Sequence, residues 1–174
     1  GMGIVSPLGL NAPDTWKAAV RGQSGIGPIT QFDASEYETQ IAGEVRNFNP
    51  SDFMTPKNAA RMDRFSQLAV AASREALADS GLVVNESNQT EIGTLIGSVL
   101  GGMKTIYEQD RTLFDKGPRR ISPFIMPMVT IDMAAAQVSI LLGLKGINFG
   151  MSSACATGTD SIGVAFELIR GGTL

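Results

Sequence analysis

The chain has 174 residues, of which 43% are hydrophobic and 18% charged, a globular composition that argues against intrinsic disorder. Lys and Arg number 14 and Asp and Glu 17, a net charge of −3 that argues against general nucleic-acid binding. With one cysteine and no histidine, the chain by itself excludes an internal disulfide, a Ser–His–Asp triad, a Cys–His dyad and a His-based metal site.

The opening Gly1–Gly9 reads as the tail of a buried strand entering a Gly- and Pro-marked turn. A helix follows: Asn11 caps it, Pro13 and Asp14 suit its first turn, Trp16, Ala19 and Val20 form one apolar stripe, and Gly22 stops it. Residues 23–60 are mixed, with a short strand over 41–48, and Pro50 and Pro56 argue against long elements there. The clearest helix spans 62–80, with Phe65, Leu68, Ala69, Ala72, Ala76 and Leu77 at helical spacing and Gly81 at its end. Strands are predicted over 92–98 and 147–152, and helices over 103–116, 127–143 and 157–170. In the last helix Ile162, Ala165, Phe166 and Ile169 share a face. Alternating strands and helices favour an α/β domain with a mainly parallel sheet. The longest uncharged stretch, 146–159, is rich in Gly and Ser and fits no membrane span. No secretory signal pattern opens the sequence, and a lone cysteine suits a reducing cytosol. Both ends read as cut within an α/β unit.

Cys155 lies in Gly150-Met151-Ser152-Ser153-Ala154-Cys155-Ala156-Thr157-Gly158, between a predicted strand and a predicted helix. Small neighbours permit a sharp turn that lifts its tip residue into open space. The tip also sits at a helix N-terminus, whose unpaired N–H groups favour a thiolate and can stabilise an oxyanion. From the residues alone, Cys155 is either such a nucleophile or a small buried hydrophobe. Other fragments carry no motif. Gly1-Met2-Gly3 lacks the third glycine of a dinucleotide fingerprint, Gly97–Gly102 is followed by Met103 rather than a P-loop ending, and 159–163 lacks the first glycine of a serine-hydrolase elbow.

Several blocks, spread over the whole chain in order, resemble the first part of the β-ketoacyl-[acyl-carrier-protein] synthase family, type II (elongating). They are Gly1–Gly9, Phe32-Asp33 with Ile41–Val45, Arg61-Met62-Asp63-Arg64-Phe65, Asp79–Leu82, Gly97–Gly102, Lys116–Phe124 and Ser153–Gly158. The resemblance implies an α/β, thiolase-like layered fold with a mainly parallel mixed sheet flanked by helices. Residues 1–174 would be its N-terminal half, truncated at both ends. It also implies an acyltransferase of fatty acid biosynthesis that condenses a Cys-bound acyl thioester with malonyl-acyl carrier protein, losing CO2. Cys155 matches the family's catalytic cysteine, and its two histidines and supporting lysine fall outside these residues. The 174 residues alone are therefore expected to be inactive.

Leu100 matches a position lining the acyl pocket and Ile125 a position reaching a neighbouring subunit's pocket floor, against the plain alternative of two ordinary core aliphatics. Lys57, Arg61, Arg119 and Arg120 match positions that contact the acidic carrier protein, against the alternative of a solvated surface with acid partners such as Asp63 and Asp115. The implied setting is a cytoplasmic homodimer with acyl carrier protein and malonyl and acyl thioesters as partners. It involves no metal and no nucleic acid, and no cofactor beyond the carrier's phosphopantetheine. Other members of the superfamily stay open: a polyketide ketosynthase, or a non-catalytic subunit like a chain-length factor, a class that lacks the cysteine.

Overall fold

The computed structural model describes residues 1–174. They form two compact units, Gly1–Asn49 with Ala71–Leu82, and Pro50–Val70 with Val83–Leu174.

In the first unit, helix α1 (Ala12–Val20) starts where the sequence indicates, with Asn11 Oδ1 accepting the Asp14 N–H at 2.7 Å. Its apolar stripe does not turn inward: Trp16 is 70% exposed, and Ala18 is the residue that packs. Strand β1 (Ile26–Pro28) pairs antiparallel with β2 (Ile41–Gly43), Ile26 opposite Gly43. The expected strand over 41–48 thus stops early. Glu44 instead takes the Thr30 N–H, the Thr30 hydroxyl and the Gln31 N–H. The Thr30 backbone bond leads in holding its carboxyl below the usual carboxylate range.

Residues 1–5 are not the strand that the sequence suggests. The Met2 N–H donates to Asp79 and the Ile4 N–H to Glu75, each at 2.8 Å. The other Glu75 oxygen takes the Ala12 N–H at 2.7 Å. Carboxylates from the later turns of helix α3 (Arg64–Ser80) therefore satisfy the amides that a sheet neighbour would otherwise bond. Helix α3 ends where Gly81 supplies the left-handed conformation expected of it, at φ 68°.

The second unit holds a core of Met54, Met62, Val70 and Val138, with Phe53, Ala69, Leu141 and Leu142 packed on it. A short helix α2 (Pro56–Ala59) is capped by Thr55. Strand β3 (Thr94–Gly97) leads through a glycine-rich turn into α4 (Met103–Lys116), whose bounds match the sequence reading. The single helix expected over 127–143 is two, α5 (Ile125–Val129) and α6 (Met133–Leu142). It breaks because Thr130 is extended and the Val129 carbonyl accepts the Gly102 N–H at 3.0 Å instead of continuing the helix. The broken segment lies against β4 (Asn148–Met151): a Cβ on Gly150 would fall 2.7 Å from Asp132 Cα. Helix α7 (Thr157–Arg170) closes the chain and matches its predicted bounds.

Strands β3 and β4 pair in parallel, Thr94 opposite Asn148 and Gly97 opposite Met151. The Thr94 hydroxyl accepts from Ser139 of α6 at 2.9 Å. Gly97, three residues on and so on the opposite face, meets Thr157 and Ser161 of α7. The strand pair is thus covered by one helix on each face. The side of α7 that packs is its small polar side, not the apolar one: Ile162 is 74% exposed, and Phe166 and Ile169 are exposed too. No helix is long and apolar enough to cross a membrane.

Candidate active site

The C-terminal ends of β3 and β4 lie side by side, and the Ser98 N–H extends their ladder to the Met151 carbonyl at 3.0 Å. The turn after β3 carries Leu100, and the turn after β4 carries Cys155. Ligands of parallel sheets gather at this end of the strands.

Cys155 sits in the middle of a tight turn (Ala154–Ala156) just before α7, and its thiol side chain is exposed. The alternative of a small buried hydrophobe is thereby removed. Ala154 has φ 55°, a left-handed conformation that costs a residue with a Cβ about 1–2 kcal/mol. Hydrogen bonds hold it there. The Ser153 N–H donates to Thr157 Oγ1 at 2.9 Å, and that hydroxyl donates to the Ala154 carbonyl at 2.7 Å. The Ala156 N–H reaches the Ser153 carbonyl at 3.3 Å. The Ser153 hydroxyl donates to Asp160 in the first turn of α7. None of these bonds uses the Cys155 N–H or its sulfur. The exposed sulfur stands just ahead of the start of α7.

Thr157 is 6% exposed, so its hydroxyl has no access to water in compensation. Thr157→Val keeps the shape and removes both bonds. We expect it to lower unfolding free energy by about 1–3 kcal/mol, read as a shifted denaturation midpoint. An unchanged midpoint would show that the turn does not depend on this hydroxyl.

The remaining predicted residues fall into two groups. Leu100 is 63% exposed, and Ile125, at the start of α5, is half-buried. The Gly102–Val129 bond and the packing of α4 on α5 tie their two segments together. Lys57, Arg61, Arg119 and Arg120 are all exposed. None forms an ion pair with a carboxylate; the pairs seen are Lys104–Glu108 and Arg170–Glu167. Asp63, one of the acid partners considered for them, is buried and bonded to Thr105 instead. The Arg61 guanidinium lies 4.5 Å from the centre of the Phe124 ring, beside Ile125. No comparable contact joins Lys57 to Arg119 and Arg120.

The model of the β-ketoacyl synthase N-terminal domain matches residues 1–174. The chain belongs to the β-ketoacyl synthase family. It is 49% identical over 172 residues to the 3-oxoacyl-[acyl-carrier-protein] synthase 2 of Staphylococcus aureus, covering 99% of this chain and 43% of that protein. Among solved structures, the ishigamide ketosynthase/chain length factor superposes with a TM-score of 0.86 at 28% identity, over 100% of this chain and 44% of that one. A β-ketoacyl synthase from Burkholderia phymatum gives 0.80 at 31% identity, over 99% and 43%. The chain thus spans less than half the length of the curated relative it matches. Its α/β, thiolase-like fold is the one the sequence resemblance implied.

Ser153, Thr157 and Asp160 escaped the sequence reading as parts of the candidate site. The available signal was hydroxyl residues two positions either side of the cysteine and an acid in the first turn of the helix. Such residues are ordinarily helix caps, and only the geometry shows that they close around Cys155.

Proposed function

We propose that this chain is the nucleophile-bearing half of an elongating 3-oxoacyl-[acyl-carrier-protein] synthase of fatty acid biosynthesis. The observation that carries the reading is the exposed Cys155 at the start of α7, in a turn whose hydrogen bonds leave its N–H and sulfur unused. The Cys155 sulfur attacks the carbonyl carbon of an acyl thioester on carrier-protein phosphopantetheine. The new C–S bond forms, the pantetheine C–S bond breaks, and the departing sulfur takes up a proton. In this reading the Cys155 N–H binds the oxyanion of the intermediate. Malonyl-carrier protein then loses CO2, and its α-carbon attacks the Cys155-bound carbonyl. Cys155 leaves as a thiolate and the chain is two carbons longer. The family resemblance assigns promotion of this second step to two histidines outside these residues.

In this reading Leu100 lines the acyl path and Ile125 reaches the pocket floor of a neighbouring subunit, and the Gly102–Val129 bond that links their segments supports it. Lys57, Arg61, Arg119 and Arg120 steer the acidic carrier protein; their exposure and lack of carboxylate partners support it, since rim charges act chiefly on encounter. The acyl groups arrive on the carrier, so no further cofactor or metal takes part. The enzyme works in the cytoplasm as a homodimer. A non-catalytic role like that of a chain-length factor is disfavoured by the presence of Cys155.

The test is acyl loading. The full-length enzyme, incubated with acyl-carrier protein, is expected to gain one acyl mass on the peptide containing Cys155, and Cys155→Ala is expected to gain none. Loading that persists in the variant would overturn the assignment.

A further inference from the structure

Every polar group of Ser153 is engaged with the residues that follow Cys155. Its N–H donates to Thr157 Oγ1 at 2.9 Å, its carbonyl accepts the Ala156 N–H at 3.3 Å, and its hydroxyl donates to Asp160. The loop from Ser153 to Asp160 is thereby closed on itself. Inside it stand the left-handed Ala154 and the exposed Cys155. Backbone amides alone would not hold this shape, because a non-glycine residue at φ 55° relaxes unless its surroundings over-determine it. Two of the three bonds tie the start of the loop to side chains of α7, whose own place is set by contact with β3 at Gly97.

We infer that Ser153 and Asp160 are positioning residues for the nucleophile: their side-chain hydrogen bond fixes the turn so that the Cys155 sulfur and N–H meet the thioester carbonyl in one geometry. The inference rests on the proposed acyl transfer to Cys155. Neither residue touches the substrate. The pair acts on the reacting atoms only through the conformation of residues 153–157. Misplacing a reacting group by about 1 Å is enough to cost on the order of a hundredfold in rate, so loosening one clamp bond should be visible in the chemical step rather than in binding.

The experiment measures loading of Cys155 from acyl-carrier protein in the full-length enzyme, together with thermal melting of each variant. Ser153→Ala and Asp160→Ala are each expected to lower the loading kcat about tenfold while KM stays unchanged. The double variant is expected to lose no more than either single one, because both remove the same bond. Ser153→Thr, which keeps a hydroxyl, is expected to recover most of the rate. The inference is overturned by losses that multiply in the double variant, by an effect on KM instead of kcat, or by rates that simply follow the melting temperatures. It is also overturned by normal loading in Ser153→Ala and Asp160→Ala while Cys155→Ala is inert, which leaves the nucleophile assignment standing. Loading that survives Cys155→Ala removes the nucleophile assignment and this inference with it.

Discussion

Asp63→Ala is expected to lower unfolding free energy by about 2–5 kcal/mol. The side chain joins two helices 42 residues apart in sequence. Its Oδ2 accepts the Thr105 N–H at 2.9 Å and the Thr105 hydroxyl at 2.6 Å. Its Oδ1 accepts the Phe65 N–H at 3.2 Å. Asp63 thus caps α3 from its own chain position, and it caps α4, whose preceding Gly102 offers no side chain, from outside. Asp63 and Thr105 are both buried, so water cannot replace the lost acceptor. The loss combines a helix cap, worth about 0.5–2 kcal/mol, with hydrogen bonds to a carboxylate, worth about 1.5–3 kcal/mol. Chemical denaturation checks it. Thr105→Val made in the Asp63→Ala background should add little, because the hydroxyl it removes has already lost its partner. A loss below about 1 kcal/mol in Asp63→Ala would mean that the two helix starts are held by other means.

The same residue shows how far the sequence could be read. Arg61-Met62-Asp63-Arg64-Phe65 was legible as a family block and as the approach to a helix, but the partner of Asp63 is set by tertiary packing, which local spacing does not encode. Where an element is fixed by its own residues, the reading succeeded. Asn11 starts α1, Gly81 ends α3, and α4 and α7 have the bounds that their apolar spacing and flanking glycines imply. Where long-range contact decides, it failed. Residues 1–5 are apolar enough for a buried strand, yet their amides are bonded by Glu75 and Asp79. Helical spacing puts Ile162, Ala165, Phe166 and Ile169 on one face of α7, yet close approach to Gly97 selects the small side, Thr157 and Ser161, for packing. For the site, the small residues around Cys155 announced the turn. The clamp of Ser153, Thr157 and Asp160 did not announce itself, since Ser, Thr and Asp near a helix start are common for capping alone.

Gly97→Ala is expected to impair both stability and acyl loading, because this one contact links the sheet to the nucleophile turn. A Cβ on Gly97 would lie 2.5 Å from Ser161 Oγ, 2.7 Å from Thr157 Cγ2 and 3.1 Å from the Thr157 carbonyl. Real Cβ atoms do not sit so close, so α7 must move away from β3 or twist. Overpacking of this kind costs about 1–3 kcal/mol. The displaced residues are not neutral ones. Thr157 holds Ser153 and Ala154 in place, and the Ser161 hydroxyl bonds the Thr157 carbonyl at 2.7 Å. A shift of a few tenths of an ångström at this contact is therefore passed to Cys155, and the loading rate should fall by tenfold or more even where the protein remains folded. Ser161→Ala relieves the shortest of the three contacts. Combined with Gly97→Ala, it should recover part of the stability but little of the loading, since the clash with Thr157 remains. Loading measured by peptide mass against time, alongside denaturation of the same samples, separates the two effects. If Gly97→Ala loads Cys155 at the wild-type rate, the position of α7 does not govern the nucleophile, and the coupling of β3 to the turn is wrong.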